Sequence, residues 1–140
     1  MLLLTAYDGS DHGNAALVRA DELAKCLGAE HHVILVAHVQ SYQWTAMSNP
    51  YQIDLYALEE EHLSEAYEKA KSTMSKEPTV VMRRGEPARE IIAYAEEVGA
   101  DFIVIGTRGR GGVKSLLLGS TSHSVIHGAP CDVIVVRHPH

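Results

Sequence analysis

The chain has 140 residues, 46% of them hydrophobic and 21% charged, which suffices for one closed core spanning 1–140 and is ordinary for a soluble globular protein. Twelve basic residues against 18 acidic ones leave a net charge of −6, which argues against a general nucleic-acid surface. Cys26 and Cys131 are too few and too isolated for a disulfide framework or a zinc site, and read as two reduced, buried thiols.

Met1-Leu2-Leu3-Leu4 lacks a basic n-region, and its apolar run is too short for a signal peptide or a membrane span, so the expected location is the cytoplasm. Leu2 to Tyr7 reads as a strand ended by the turn residues Asp8-Gly9-Ser10. Ser10 or Asp11 can cap the helix that follows, in which Ala16, Ala20, Leu23, Ala24 and Leu27 recur at helical spacing and Gly28 is the stop. His32 to Val39 contains Val33-Ile34-Leu35-Val36-Ala37, apolar at consecutive positions, the pattern of a strand buried on both faces of a parallel sheet.

Gln40 to Gln52 has no period and reads as a surface loop or lid. A helix is expected from about Ile53 to Lys76, with Leu63, Ala66, Tyr67, Ala70 and Met74 inward, and Glu59, Glu60, Glu61, Glu65 and Glu68 as its solvated face. Thr79 to Met82 gives a third strand. Gly85-Glu86-Pro87 then turns into a helix carrying Ile91, Ile92, Ala95 and Val98, stopped by Gly99. Asp101 to Ile105 is a fourth strand, Gly119 to His127 a last helix broken by Gly128-Ala129-Pro130, and Val133 to Val136 a fifth strand.

Strands alternating with helices make a βα series, and right-handed crossovers turn that series into a doubly wound parallel sheet, a three-layer α/β/α fold. With strand order 3-2-1-4-5, the order reverses between the first and fourth strands, and ligands of such sheets bind outside the carboxyl ends at that point. The loops meeting there are Asp8-Gly9-Ser10 and Gly106 to Gly112.

The second of these loops holds the chemistry. Residues 105–121 read I-G-T-R-G-R-G-G-V-K-S-L-L-L-G-S-T. Glycine lets main-chain N–H groups approach an anion closely, and a helix beginning at Gly119-Ser120 would add its own free N–H groups and positive dipole end. Arg108, Arg110 and Lys114 concentrate cations in an acidic chain. Together these point at a phosphate. The P-loop pattern fails, because Lys114 stands where its second glycine is required, and the dinucleotide fingerprint G-x-G-x-x-G fails at the same residue. What fits is Gly106-x2-Gly109-x9-Gly119-Ser120.

That spacing resembles the nucleotide-binding signature of the universal stress protein family, in its ATP-binding branch. The likeness extends to the opening strand with Asp8-Gly9-Ser10, to His38-Val39, to Gly85-Glu86-Pro87, and to Ala129-Pro130-Cys131-Asp132-Val133 before the last strand. It implies a flavodoxin-like, Rossmann-like fold, a homodimer joined through the last strand, and binding of ATP or a related adenine nucleotide, with Mg²⁺ brought by the phosphates. Carried over position by position, Asp8 meets the nucleoside, Ala6 and Val39 contact adenine, Gly106 and Gly109 line ribose and phosphates, and Gly119, Ser120 and Thr121 hold the phosphate tail. Arg108 and Arg110 would add charge-assisted bonds or point to solvent.

Other candidates carry less. His123 and His127 stand at i and i+4 without an obvious third ligand, so no metal site is expected; His31 and His32 read as surface residues, and His38 as a pocket or structural histidine. Neither a G-x-S-x-G elbow nor the companion acids of Mg²⁺-assisted phosphoryl transfer is present, so at most weak ATP hydrolysis is expected and no catalytic residue is assigned. The expected function is a cytoplasmic ATP-binding stress regulator or sensor, with no nucleic acid and no membrane insertion. The alternatives are a slow ATPase or self-phosphorylating enzyme at Ser120 or Thr121, or a binder of AMP, a cyclic dinucleotide or another small ligand.

Overall fold

The computed structural model describes residues 1–39, 54–108 and 118–138. The expected loop at 40–52, with Ile53, and the residues Gly109, Arg110, Gly111, Gly112, Lys114 and His140 lie outside the described residues. The elements are β1 (Leu2–Tyr7), α1 (Asp11–Leu27), β2 (Glu30–Ala37), α2 (Leu55–Ala70) with a 3₁₀ turn Lys71–Thr73, β3 (Thr79–Arg84), α3 (Pro87–Val98), β4 (Phe102–Gly106), α4 (Ser120–Gly128) and β5 (Asp132–Val136). All five strands pair in parallel in the order β3-β2-β1-β4-β5, the order read from the sequence.

The consecutive apolar residues of β1 and β2 serve two cores at once, because successive side chains leave a strand on opposite faces. On one face Leu4, Ala6, Ile34, Ile103 and Ile105 pack against Ala88, Ile91, Tyr94 and Ala95 of α3 and Val125 of α4. On the other, Leu3 and Val104 meet Ala16 and Ala20 of α1, while Tyr7, Val33, Leu35 and Ala37 meet Leu17 of α1 and Leu63 and Tyr67 of α2. Small alanines on α1 let that helix lie close on the sheet. Ser10 caps it, its Oγ accepting from the Gly13 N–H at 2.9 Å, and Gly28 ends it in the left-handed conformation at φ 62°.

Several expectations change in the folded chain. Strand β3 runs two residues further than Met82, because Arg83 and Arg84 alternate onto the two helical layers and are paired there. Arg83 reaches Glu97 and Glu90 beside α3 and stacks over Tyr94. Arg84 grips Glu60 with Nε and one terminal nitrogen (3.1 and 2.7 Å) and stacks over Tyr56. Glu60 is therefore not simply part of a solvated face. Helix α2 stops at Ala70 rather than near Lys76, where the Ser72 and Thr73 hydroxyls donate back to the carbonyls of Lys69 and Ala70 and favour the tighter 3₁₀ turn.

Cys26 is exposed rather than buried, and Cys131 is half-buried, because position 26 falls on the outer stripe of α1. Leu27, which shares the helical spacing of Ala16, Ala20 and Ala24, is exposed at the last turn of the same helix. Nor are His31 and His32 surface residues. His31 Nε2 lies 2.8 Å from the buried Thr5 hydroxyl, and His32 Nδ1 lies 2.8 Å from the Tyr94 hydroxyl.

Candidate functional site

Above the carboxyl ends of β1, β2 and β4 the two βα turns separate and leave a cleft of about 350 Å³. Doubly wound sheets bind ligands at this point because strands that leave in opposite directions leave no crossover to fill the gap. One wall is apolar: Ala6 from β1, Ile34 and Val36 from β2, Ile91 from α3 and Ile105 from β4. The other end is polar, formed by Asp8, Arg108, Ser120, Thr121 and Ser122, with His38 and Glu86 at the rim.

Asp8 is held by its own turn. Its Oδ1 accepts from the Ser10 N–H at 3.0 Å and from the Ser10 hydroxyl at 2.6 Å, while the same hydroxyl oxygen caps α1. Gly13, in the first turn of α1, presses against this arrangement: a Cβ there would stand 2.7 Å from Asp8 Oδ1. Asp8 also raises the phenol of the adjacent Tyr7, which burial above all pushes up to about 12. The Tyr7 hydroxyl donates to Asn14 Oδ1 at 2.8 Å, fixing β1 to α1 behind the cleft.

Gly106 lines the cleft, but its lack of a side chain is used elsewhere. A Cβ at Gly106 would meet the main-chain oxygen of His12 at 2.7 Å, so the glycine lets the end of β4 abut α1. Thr107 then links three elements. Its N–H donates to the Val136 carbonyl at 3.1 Å, its carbonyl accepts from the Gly119 N–H at 2.6 Å, and its hydroxyl lies 3.2 Å from His12 Nδ1. Gly119 is the N-cap of α4 and supplies no side-chain bond to it, and the first residues of that helix, Ser120, Thr121 and Ser122, line the polar end of the cleft. Ser122, buried in the first turn, donates its hydroxyl to the Gly106 carbonyl at 2.6 Å and ties α4 to β4.

Of the residues singled out in the sequence, Ala6, Asp8, Gly106, Arg108, Ser120 and Thr121 line this one cleft. Gly119 stands one residue behind as the helix cap. Val39 is half-buried beyond the end of β2 and is not among the lining residues; β2 contributes Ile34 and Val36, alternate positions on one face, and His38 just past its end continues that alternation. His38 lines the cleft and is also a structural histidine, with Nδ1 3.1 Å from the Gly85 carbonyl. Gly109 and Arg110 lie outside the described residues.

Gly13, Ile91 and Glu86 also line the cleft and were not singled out as site residues. Glu86 caps α3 by accepting from the N–H groups of Ala88 (3.2 Å) and Arg89 (2.9 Å). The signal for it was present in the Gly85-Glu86-Pro87 turn, which ends on the same side of the sheet. For Gly13 no local signal exists, since a glycine inside a helix reads only as a weak position. His123 and His127 stand with ring centroids 4.4 Å apart on α4, and among the described residues no cluster of three metal-binding side chains occurs. No helix of the described residues is long and apolar enough to cross a membrane.

Comparison with known proteins places this geometry in a family. The universal stress protein family model matches residues 2–137. The chain is 36% identical over 135 residues to universal stress protein MJ0531 of Methanocaldococcus jannaschii, covering 94% of this chain and 79% of that protein. Its fold superposes on universal stress protein UspA from Lactobacillus plantarum with a TM-score of 0.85 at 27% identity, covering 98% of this chain and 97% of the other. A universal stress protein solved in complex with cAMP superposes with a TM-score of 0.68 at 25% identity, covering 99% and 98%. Matched over nearly its whole length by the family model and by a relative above 30% identity, this chain belongs to the universal stress protein family.

Proposed function

We propose that the cleft binds an adenine nucleotide, ATP with Mg²⁺ on its phosphates, and that the protein acts as a cytoplasmic stress sensor through its occupancy. The observation carrying this reading is the placement of Asp8 and the start of α4 on one cleft at the reversal of strand order. The apolar wall of Ala6, Ile34, Val36, Ile91 and Ile105 suits a purine ring, and the Asp8 carboxylate can accept from a ribose hydroxyl. Ser120 and Thr121 offer hydroxyls and main-chain N–H groups to phosphate oxygens, and Arg108 offers charge. Gly109, Arg110 and Gly119 are proposed to complete the site as the family resemblance implies. The relative solved with cAMP supports an adenine ligand. A homodimer through β5, the edge strand beside β4, is part of the same proposal.

Titration of the purified chain with ATP, ADP, AMP and cAMP tests the reading. Binding that falls at least about tenfold in Asp8→Ala is expected, equivalent to loss of one charge-assisted hydrogen bond. Absence of binding at millimolar nucleotide ends the claim. In Gly109→Val, affinity should collapse with little change in thermal stability, because the added side chain would obstruct close approach of the main chain to a phosphate.

A further inference from the structure

His12, in the first turn of α1, does not line the cleft but stands directly behind it, between the lining residues Gly13, which follows it, and Gly106, on which its main chain rests, and it belongs to no motif. Its position is determined on three sides. The main-chain oxygen is pressed on the Cα of Gly106, Nδ1 lies 3.2 Å from the Thr107 hydroxyl, and the ring stands edge-on to His138 with centroids 5.4 Å apart. Thr107 is itself held to β5 and directly precedes Arg108, which lines the cleft.

We propose that His12 is the proton-carrying residue of this site, taking up a proton when a polyphosphate arrives and so favouring nucleoside di- and triphosphates over monophosphates. The inference rests on the nucleotide reading above.

The charges around the ring supply the reason. Burial, Arg108 and His138 disfavour the imidazolium, whereas Asp8 and Asp11 favour it, and the balance holds His12 below the ordinary histidine range. Without ligand the ring is therefore neutral near pH 7. A polyphosphate placed against Arg108, which lines the cleft, offsets the cation that disfavours the imidazolium, so the balance shifts toward the protonated ring. The bond to Thr107 survives the change, since a hydroxyl can donate to a neutral Nδ1 or accept from a protonated one. The proton comes from solvent, and no covalent step is involved. The more charge the ligand carries into this end, the larger the uptake, which separates ATP from AMP.

Linkage makes the consequence measurable. Each unit by which the ligand raises the His12 pKa makes binding about tenfold tighter well below that pKa than well above it. The test follows the His12 ring resonance of the full chain by NMR across pH, free and with Mg²⁺-ATP, AMP, inorganic tripolyphosphate or adenosine. The Ala6 and Gly106 amides report occupancy, and His12→Gln assigns the resonance. Calorimetry in two buffers of different ionisation enthalpy counts the protons.

A raised His12 pKa with ATP, a smaller rise with AMP, and proton uptake lost in His12→Gln together with the pH dependence of its affinity are expected. ATP moving the cleft amides while the His12 pKa stays put would overturn the inference and leave the nucleotide reading intact. Tripolyphosphate raising the pKa while adenosine and ATP leave the Ala6 amide unmoved would uphold the proton-linked anion site and overturn the adenine reading. No response to any of the four ligands overturns both.

Discussion

Gly13 and Gly106 are the two residues whose missing side chains shape the site. Alanine at position 13 would gain helix propensity worth up to about 1 kcal/mol, but its Cβ would fall 2.7 Å from Asp8 Oδ1, a carboxylate already held by two bonds from Ser10. The short side chain of Asp8 must move, not the helix. Gly13→Ala should therefore leave the urea midpoint nearly unchanged while nucleotide affinity falls roughly as far as in Asp8→Ala. At Gly106 the obstacle is main chain: the added Cβ would meet His12 carbonyl oxygen and carbon at 2.7 and 2.8 Å. Gly106→Ala should cost about 1–3 kcal/mol of stability in denaturant titration, the range for overpacking. A Gly106→Ala protein of unchanged stability would show that β4 and α1 are not in register as described. At this scale the Gly106 of the family motif was legible as a required glycine, but the reason was not. Sequence spacing suggests approach to a ligand, whereas the close neighbour is a helix 94 positions earlier in the chain.

Among the elements, α4 governs the polar end of the cleft, and the buried Ser122 side chain of its first turn holds it to β4 by hydrogen bonding. Ser122→Ala removes the 2.6 Å bond to the Gly106 carbonyl and leaves that carbonyl without its hydroxyl partner in a buried place. A loss of about 1–3 kcal/mol is expected by calorimetry, with weaker phosphate binding because the helix start is no longer fixed. Serine at this place would read from sequence as one more phosphate-binding hydroxyl of the Ser120-Thr121-Ser122 run; its partner assigns it to anchoring. The extra length of β3 has the same kind of origin. Arginine at 83 and 84 reads as the end of an apolar strand, yet both guanidiniums find acids on flanking helices, so the ladder continues to Arg84.

For the molecule as a whole, ligand and pH both act on the equilibrium between folded and unfolded chain. ATP at about a hundred times its dissociation constant should stabilise the fold by about 2.7 kcal/mol, visible as a raised melting temperature that is lost in Asp8→Ala. His31 sets the acid side. It is half-buried beside Thr5 with a buried Nδ1 unpartnered among the described residues, and burial, the leading cause, holds it below the ordinary histidine range despite Asp21. The unfolded chain therefore binds the proton more readily than the folded one. Stability is complete above the unfolded value of about 6.5 and declines as pH falls from there toward the lowered folded value. Urea midpoints should drop as pH falls through and below about 6.5, with a shallower drop in His31→Gln; an equal slope in the variant would place the acid sensitivity elsewhere.

What the chain's order of residues determined by itself was everything carried by local pattern. Apolar runs at consecutive positions announced two-faced strands, helical spacing and caps announced α1 and α3, and the alternation of the two forced a parallel sheet reversing between β1 and β4. Asp8 and the glycine signature were visible because each stands at the end of such a strand. Tertiary structure alone decided which alternate residues of β2 face the cleft, that Gly13 and Gly106 serve packing of α1, and that His12 meets Thr107 and His138. The contacts of His12 with Gly106, Thr107 and His138 join residues about a hundred positions apart, and no periodicity within one segment encodes the distance between two segments.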